Sequence, residues 1–217
     1  MSLLDFARGP ALQWAGIIFV LGMVWRTLGI FMLMRSSPLS ANRDNHLFEH
    51  GVRTVWSRFV PAPVFEKKVS FQYVAGWIWH LGFLVVLLFY KVHVMFFEGL
   101  LGFGWPALPN SIVLAIAGVT LGVLLWLLGR RIFNPVLRYI STFNDYSSVI
   151  ITTLPILTGL LTFTHFGIAY ETLLAIHMLS IALLLVWFPF SKLFHVITLL
   201  PSRYVLGVKF WRRGVQA

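Results

Sequence analysis

Four histidines, His80, His93, His177 and His195, lie inside otherwise apolar stretches, the first two in one stretch and the last two in another. An imidazole in hydrocarbon is costly unless something coordinates or pairs with it, so an ionisable group at that depth points to function. Two imidazoles on facing helices are the donor set that holds the iron of a b-type haem. Two such pairs predict two haems.

The elements that must position these rings follow from composition. The chain has 217 residues, 59% of them hydrophobic and only 11% charged. Segments of about 18 or more residues with few charges are long enough to cross roughly 30 Å of hydrocarbon. The sequence predicts an all-α integral membrane protein, one membrane domain over 1–217, with five spans at about 12–34, 71–97, 111–129, 147–166 and 173–197. The N-terminal residues lack a charged region leading to a small-residue cleavage site, so the first segment is expected as a retained span. There is no cysteine, which excludes disulfides, thiolate-held clusters and thioether-attached haem. Iron–sulfur chemistry would belong to a partner.

The formal charge of +10 is distributed by loop. Arg35, Arg43, Arg53, Arg58, Lys67 and Lys68 share one loop, Arg130, Arg131 and Arg138 another, and Lys192, Arg203, Lys209, Arg212 and Arg213 lie at or beyond the last span. The alternate loops hold mainly Glu98 and Glu171. This asymmetry fits membrane topology, not nucleic-acid binding, and places the N-terminus outside and the C-terminus in the cytoplasm. Between the first two spans, at about 45–60, Leu47, Phe48, Val52, Val55, Trp56 and Phe59 recur at helical spacing opposite His46, Glu49, His50 and Arg53. That pattern predicts an amphipathic helix on the cytoplasmic membrane surface, against lipid or as a platform for a partner. His46 and His50 are expected as solvated surface groups.

Orientation fixes the pairing. The second and fifth spans run in opposite directions, so His80 pairs with His195 at an inner haem and His93 with His177 at an outer one. On straight helices, at about 1.5 Å per residue, the two separations are roughly 20 Å and 27 Å. His177 and His195 share a face of an ideal helix, whereas His80 and His93 do not. Pro189, between His177 and His195, is expected to kink the fifth span. Lys91, Glu98, His165 and Glu171 are the outer-side groups able to bind or deprotonate a quinol, or else ordinary interfacial charges. Arg26, deep in the first span, is a candidate partner for a haem propionate, or snorkels to the headgroups.

Several segments resemble the cytochrome b (gamma) subunit of respiratory nitrate reductase and its relatives, the membrane cytochromes linked to dissimilatory sulfite reductase and to heterodisulfide reductase-like complexes. HMLSIALLLVWFPFSKLFH, from His177 to His195, is similar to the family's two-histidine helix. GRRIFNP resembles the basic stop after its third span, the run from Asp145 through LTGLLT its fourth, and FVLGMVWR its first. The resemblance implies that His80, His177 and His195 are haem ligands. The family's other second-span histidine falls at Tyr90 here, which leaves His93 as the fourth ligand and Tyr90 as the runner-up. A lysine that the family carries near the start of the third span is absent, and Lys91 is the proposed replacement.

The implied activity is electron exchange between menaquinone or ubiquinone and a cytoplasmic iron–sulfur subunit, in a prokaryotic inner membrane. Outer-side quinol oxidation would release protons outside while electrons pass inward. A single-haem or haem-free membrane anchor, and a proton channel or transporter, are the alternatives.

Overall fold

The computed structural model describes residues 2–33, 41–165 and 167–215. Met34, the expected end of the first span, Arg35, and Phe166, the expected end of the fourth span, lie outside the described residues. The described chain is helical: α1 (Leu3–Leu33), α2 (Leu47–Ser57), α3 (Glu66–Phe89), α4 (Lys91–Leu101), α5 (Asn110–Phe133), α6 (Pro135–Ile140), α7 (Phe143–Thr164), α8 (Tyr170–Trp187) and α9 (His195–Arg212). Five stretches are long and apolar enough to cross a membrane: α1, α3, α5, α7 and Tyr170–Phe190. The protein is therefore an all-helical, multi-pass membrane protein in its architecture. The first span starts earlier than expected, because a π-helical turn at Ala7–Ala11 carries Pro10 within the helix.

The chain forms two compact units. The first comprises Met1–Ile18 and Val74–Trp187. In it α7 is the most enclosed helix, packed between α5 and α8. Its buried Ser147, Ser148, Thr152, Thr153, Thr158 and Thr162 place polar groups in an apolar setting. Thr152, Thr153, Thr158 and Thr162 each return their hydroxyl to the carbonyl four residues back at 2.7 Å, which satisfies the donor within the helix. Small residues let helices approach where lipid offers no hydrophobic drive to associate. Gly82 of α3 lies against Thr120 of α5, a fully buried residue. At the loop end, a capping box joins Thr142 and Asp145, and Asp145 also meets Arg131 at 3.4 Å. Arg131 thus holds α5 to α7, beyond its expected part in topology.

The second expected span is not one helix. It breaks at Tyr90, whose backbone is extended (φ −70°, ψ 129°). A broken helix exposes carbonyls, and in hydrocarbon each must find a donor within the protein. Here they do. The His93 ring reaches Val86 O at 2.9 Å, the Trp105 indole donates to Leu88 O at 2.6 Å, and Leu108 N donates to Phe89 O at 3.0 Å. The Gly- and Pro-containing loop after α4 folds back to supply two of these three donors.

The second unit comprises Phe19–Tyr73 and Phe188–Ala217. The fifth span ends at Phe190, before His195. After Trp187 come a 3-10 turn at Phe188–Phe190, extended Ser191, a second 3-10 turn at Lys192–Phe194, and then α9. Pro189 does more than kink the helix, and His177 and His195 share no helical face. Buried Pro189 lies over Gly22, where a Cβ would come within 2.7 Å of the proline ring. Arg26 donates from Nη1 to Pro189 O at 2.6 Å and Ser191 O at 3.0 Å, with its guanidinium 4.4 Å from the centre of the Phe194 ring. The half-buried charge thus satisfies carbonyls that the break leaves over.

The helix expected at 45–60 spans Leu47–Ser57 and packs on α9 through its narrow face. Gly51 lies against Tyr204, and Gly207 of α9 against Thr54. Phe48, Val52 and Trp56 are left exposed on another face. His50 departs from the solvated role expected of it. It is half-buried, 3.0 Å from Asp44 Oδ2, with its ring stacked 3.6 Å from Trp211.

Candidate functional site: a histidine pair at the break in the second span

The break at Tyr90 gives His93 a direction that no straight helix would. Its ring lies 6.2 Å, centre to centre, from that of His177, and the two planes are within 12° of parallel. Metal–imidazole bonds of about 2 Å, with each ring centre about 1.2 Å behind its nitrogen, would set two imidazoles that share one metal about 6.3 Å apart. The centre-to-centre distance of the pair matches that spacing.

The tautomers agree with that use. A carbonyl only accepts, so His93 Nδ1 must carry the hydrogen it gives to Val86 O. His177 Nδ1 lies 3.0 Å from Thr158 Oγ1. Where that hydroxyl gives its hydrogen to Leu154 O, 2.7 Å away, the hydrogen of the contact is the one on His177 Nδ1. Each ring then keeps Nε2 as its lone-pair nitrogen, the atom a metal takes when the other nitrogen is fixed by a second-shell bond.

Around the pair lies a cleft of about 60 Å³ whose walls are apolar, among them Phe83, Leu87, Val113, Ala117 and Ile156. Gly159 brings the α7 backbone against His177, where a Cβ would stand 3.2 Å from Cε1. The donor set and the apolar walls suit a haem. The free volume of the cleft is smaller than a whole macrocycle. Among the described residues no group of three or more His, Asp or Glu side chains converges on a common point.

Tyr90, the alternative ligand, lies edge-on to His93 at 5.2 Å and also lines the cleft. It stands beside His93 and does not replace it opposite His177. The other two histidines each have a carbonyl partner: His80 Nδ1 donates to Gly76 O at 2.7 Å and His195 Nδ1 to Lys192 O at 2.9 Å. His80 belongs to the first unit and His195 to the second, so their pairing rests on the sequence alone. Arg26 spends Nη1 on the two carbonyls described above, which leaves Nη2 and Nε for any propionate.

The four quinol candidates are separate. Lys91 begins α4, Glu98 lies further along it, His165 ends α7 with φ 52°, and Glu171 is in the first turn of α8; all four are exposed. Among the described residues no hydrogen bond or ion pair joins any two of them. His165 stacks on Tyr170 at 5.1 Å.

Sequence reasoning passed over Thr158, Ser180 and Trp105. Hydroxyls on a membrane helix are common, and only the contact with His177 distinguishes Thr158 from Thr152. A pattern search for polar residues on the fourth and fifth spans at one depth would have found Thr158 and Ser180. No family model matches this chain. It is similar to a curated protein of Nitratidesulfovibrio vulgaris, strain Hildenborough, named "Protein": the two are 29% identical over 216 residues, which cover 94% of this chain and 92% of that protein.

Proposed function

We propose that the protein is a dihaem b-type membrane cytochrome, the quinol-linked subunit of a respiratory oxidoreductase in a prokaryotic inner membrane. The observation that carries this reading is the parallel pair His93 and His177, spaced at 6.2 Å, with Nδ1 of each ring in a hydrogen-bond contact. When bound, each haem supplies a one-electron carrier. The chain's own task is to hold axial nitrogens in place and to keep the surroundings apolar. His93 and His177 serve the outer haem; His80 and His195, which begins a new helix beyond the end of the fifth span, are assigned to the inner one by the family resemblance.

In this reading the basic loops face the cytoplasm, and α2 rests its Phe48, Val52 and Trp56 stripe in the membrane surface beside a cytoplasmic iron–sulfur partner of the nitrate reductase-like or sulfite reductase-linked kind. Quinol oxidation at the outer end needs groups that take two protons while electrons leave one at a time. Lys91, Glu98, His165 and Glu171 stand at that end, with Lys91 in place of the lysine that the resembling family carries on its third span. Menaquinone or ubiquinone is the membrane substrate.

The test is a reduced-minus-oxidised pyridine haemochrome spectrum of the purified protein with a measured haem-to-protein ratio. A ratio of two, falling to one in His177→Ala, is expected. A colourless protein from cells with ample haem supply overturns the reading.

A further inference from the structure

Of the four histidines in the apolar stretches, His177 has a contact that the other three lack. His80, His93 and His195 give Nδ1–H to amide carbonyls. His177 Nδ1 also meets a side-chain hydroxyl, Thr158 Oγ1, at 3.0 Å, with the Pro155 carbonyl a second acceptor beside the ring. That hydroxyl is buried, 8% exposed, and so is Ser180 beside it at 7%. Ser180 Oγ lies 3.0 Å from Thr158 Oγ1 and donates to the backbone carbonyl of His177 itself at 2.6 Å. The cluster thus grips His177 at its ring and at its main chain, from two helices, in the first unit alone.

We propose that Thr158 is the positioning residue of the outer haem: it fixes the His177 tautomer and sets the electron donation of that ligand. This rests on the dihaem reading for its consequence and on the hydrogen-bond geometry for its cause. An imidazole whose N–H is drawn toward an acceptor gains basicity at its other nitrogen and better stabilises the oxidised metal. Loss of the acceptor removes that bias. A hydroxyl that already donates elsewhere accepts through a lone pair fixed in direction, so the ring orientation is set with it. With Gly159 next in sequence admitting the ring to the helix surface, one dipeptide supplies both the space and the bond.

The consequence is selective. Thr158→Val keeps the branched shape and deletes only the hydroxyl, so the midpoint potential of one haem should rise while the other holds, with a change in the low-spin ferric resonance of that haem alone. Thr158→Ser, which restores an acceptor, should return both signals toward the parent. The tautomer is read without any haem: in haem-free protein labelled with ¹⁵N-histidine, the His177 Nδ1–H form should dominate in the parent and in Thr158→Ser and give way to a mixture in Thr158→Val. Thr158→Val with two haems, unchanged potentials and an unchanged His177 tautomer overturns the proposal. A parent protein that binds no haem sinks the dihaem reading, and the tautomer measurement then still decides whether Thr158 positions His177.

Discussion

At the scale of the residue, a few ångströms around His177 carry the chemistry. Gly159 stands where a Cβ would press within 3.2 Å of the imidazole, so Gly159→Ala should displace the ring. Overpacking of this kind costs about 1–3 kcal/mol. The expected outcome is a lower melting temperature together with loss of one haem, read from the same sample; unaltered haem content would show that the ring has room to yield. Tyr90→Phe separates the two candidate ligands. Because the phenol lies edge-on to His93 at 5.2 Å, removal of its hydroxyl should leave haem content at two, whereas His93→Ala should reduce it to one. The histidines themselves were legible from type and depth. The acceptor on Thr158 was not, because one threonine in a membrane helix looks like any other until its neighbour across the helix pair is known.

At the scale of the element, two interruptions decide where ligands point. The break at Tyr90 has no proline or glycine to announce it, and its cost is offset by donors that arrive from distant sequence. Trp105→Phe removes the indole bond to Leu88 O, leaving a carbonyl unpaired in an apolar setting at about 1–3 kcal/mol. Faster hydrogen exchange confined to 86–94 is the expected signature, and uniform exchange rates across α3 and α4 would argue against this account. The second interruption was announced by Pro189, but its extent was not. Arg26→Met strips Pro189 O and Ser191 O of a charged donor, a type of bond worth about 1.5–3 kcal/mol. Denaturation in detergent should show that loss, even in haem-free protein, if Arg26 serves the break itself.

At the scale of the whole molecule, charge is divided unequally. Residues 19–73 and 188–217 carry twelve of the 17 Lys and Arg and three of the seven acidic groups, so +9 of the +10 formal charge. Such a basic share is attracted to the cytoplasmic leaflet and resists translocation. The absence of cysteine makes this directly measurable. A membrane-impermeant maleimide added to intact cells should label Gly99→Cys, a site with open space around it, and should label Ser57→Cys only after lysis. The reverse pattern would invert the orientation and with it the direction of proton release. The sequence by itself determined the membrane class, the number of long apolar helices and the four imidazoles, because hydrophobic length and buried polarity are properties of the chain read locally. Only the tertiary structure decided that His93 turns toward His177 and that His195 opens a new helix. Those outcomes depend on which distant donors reach the carbonyls of a broken helix, and no local pattern encodes that closure.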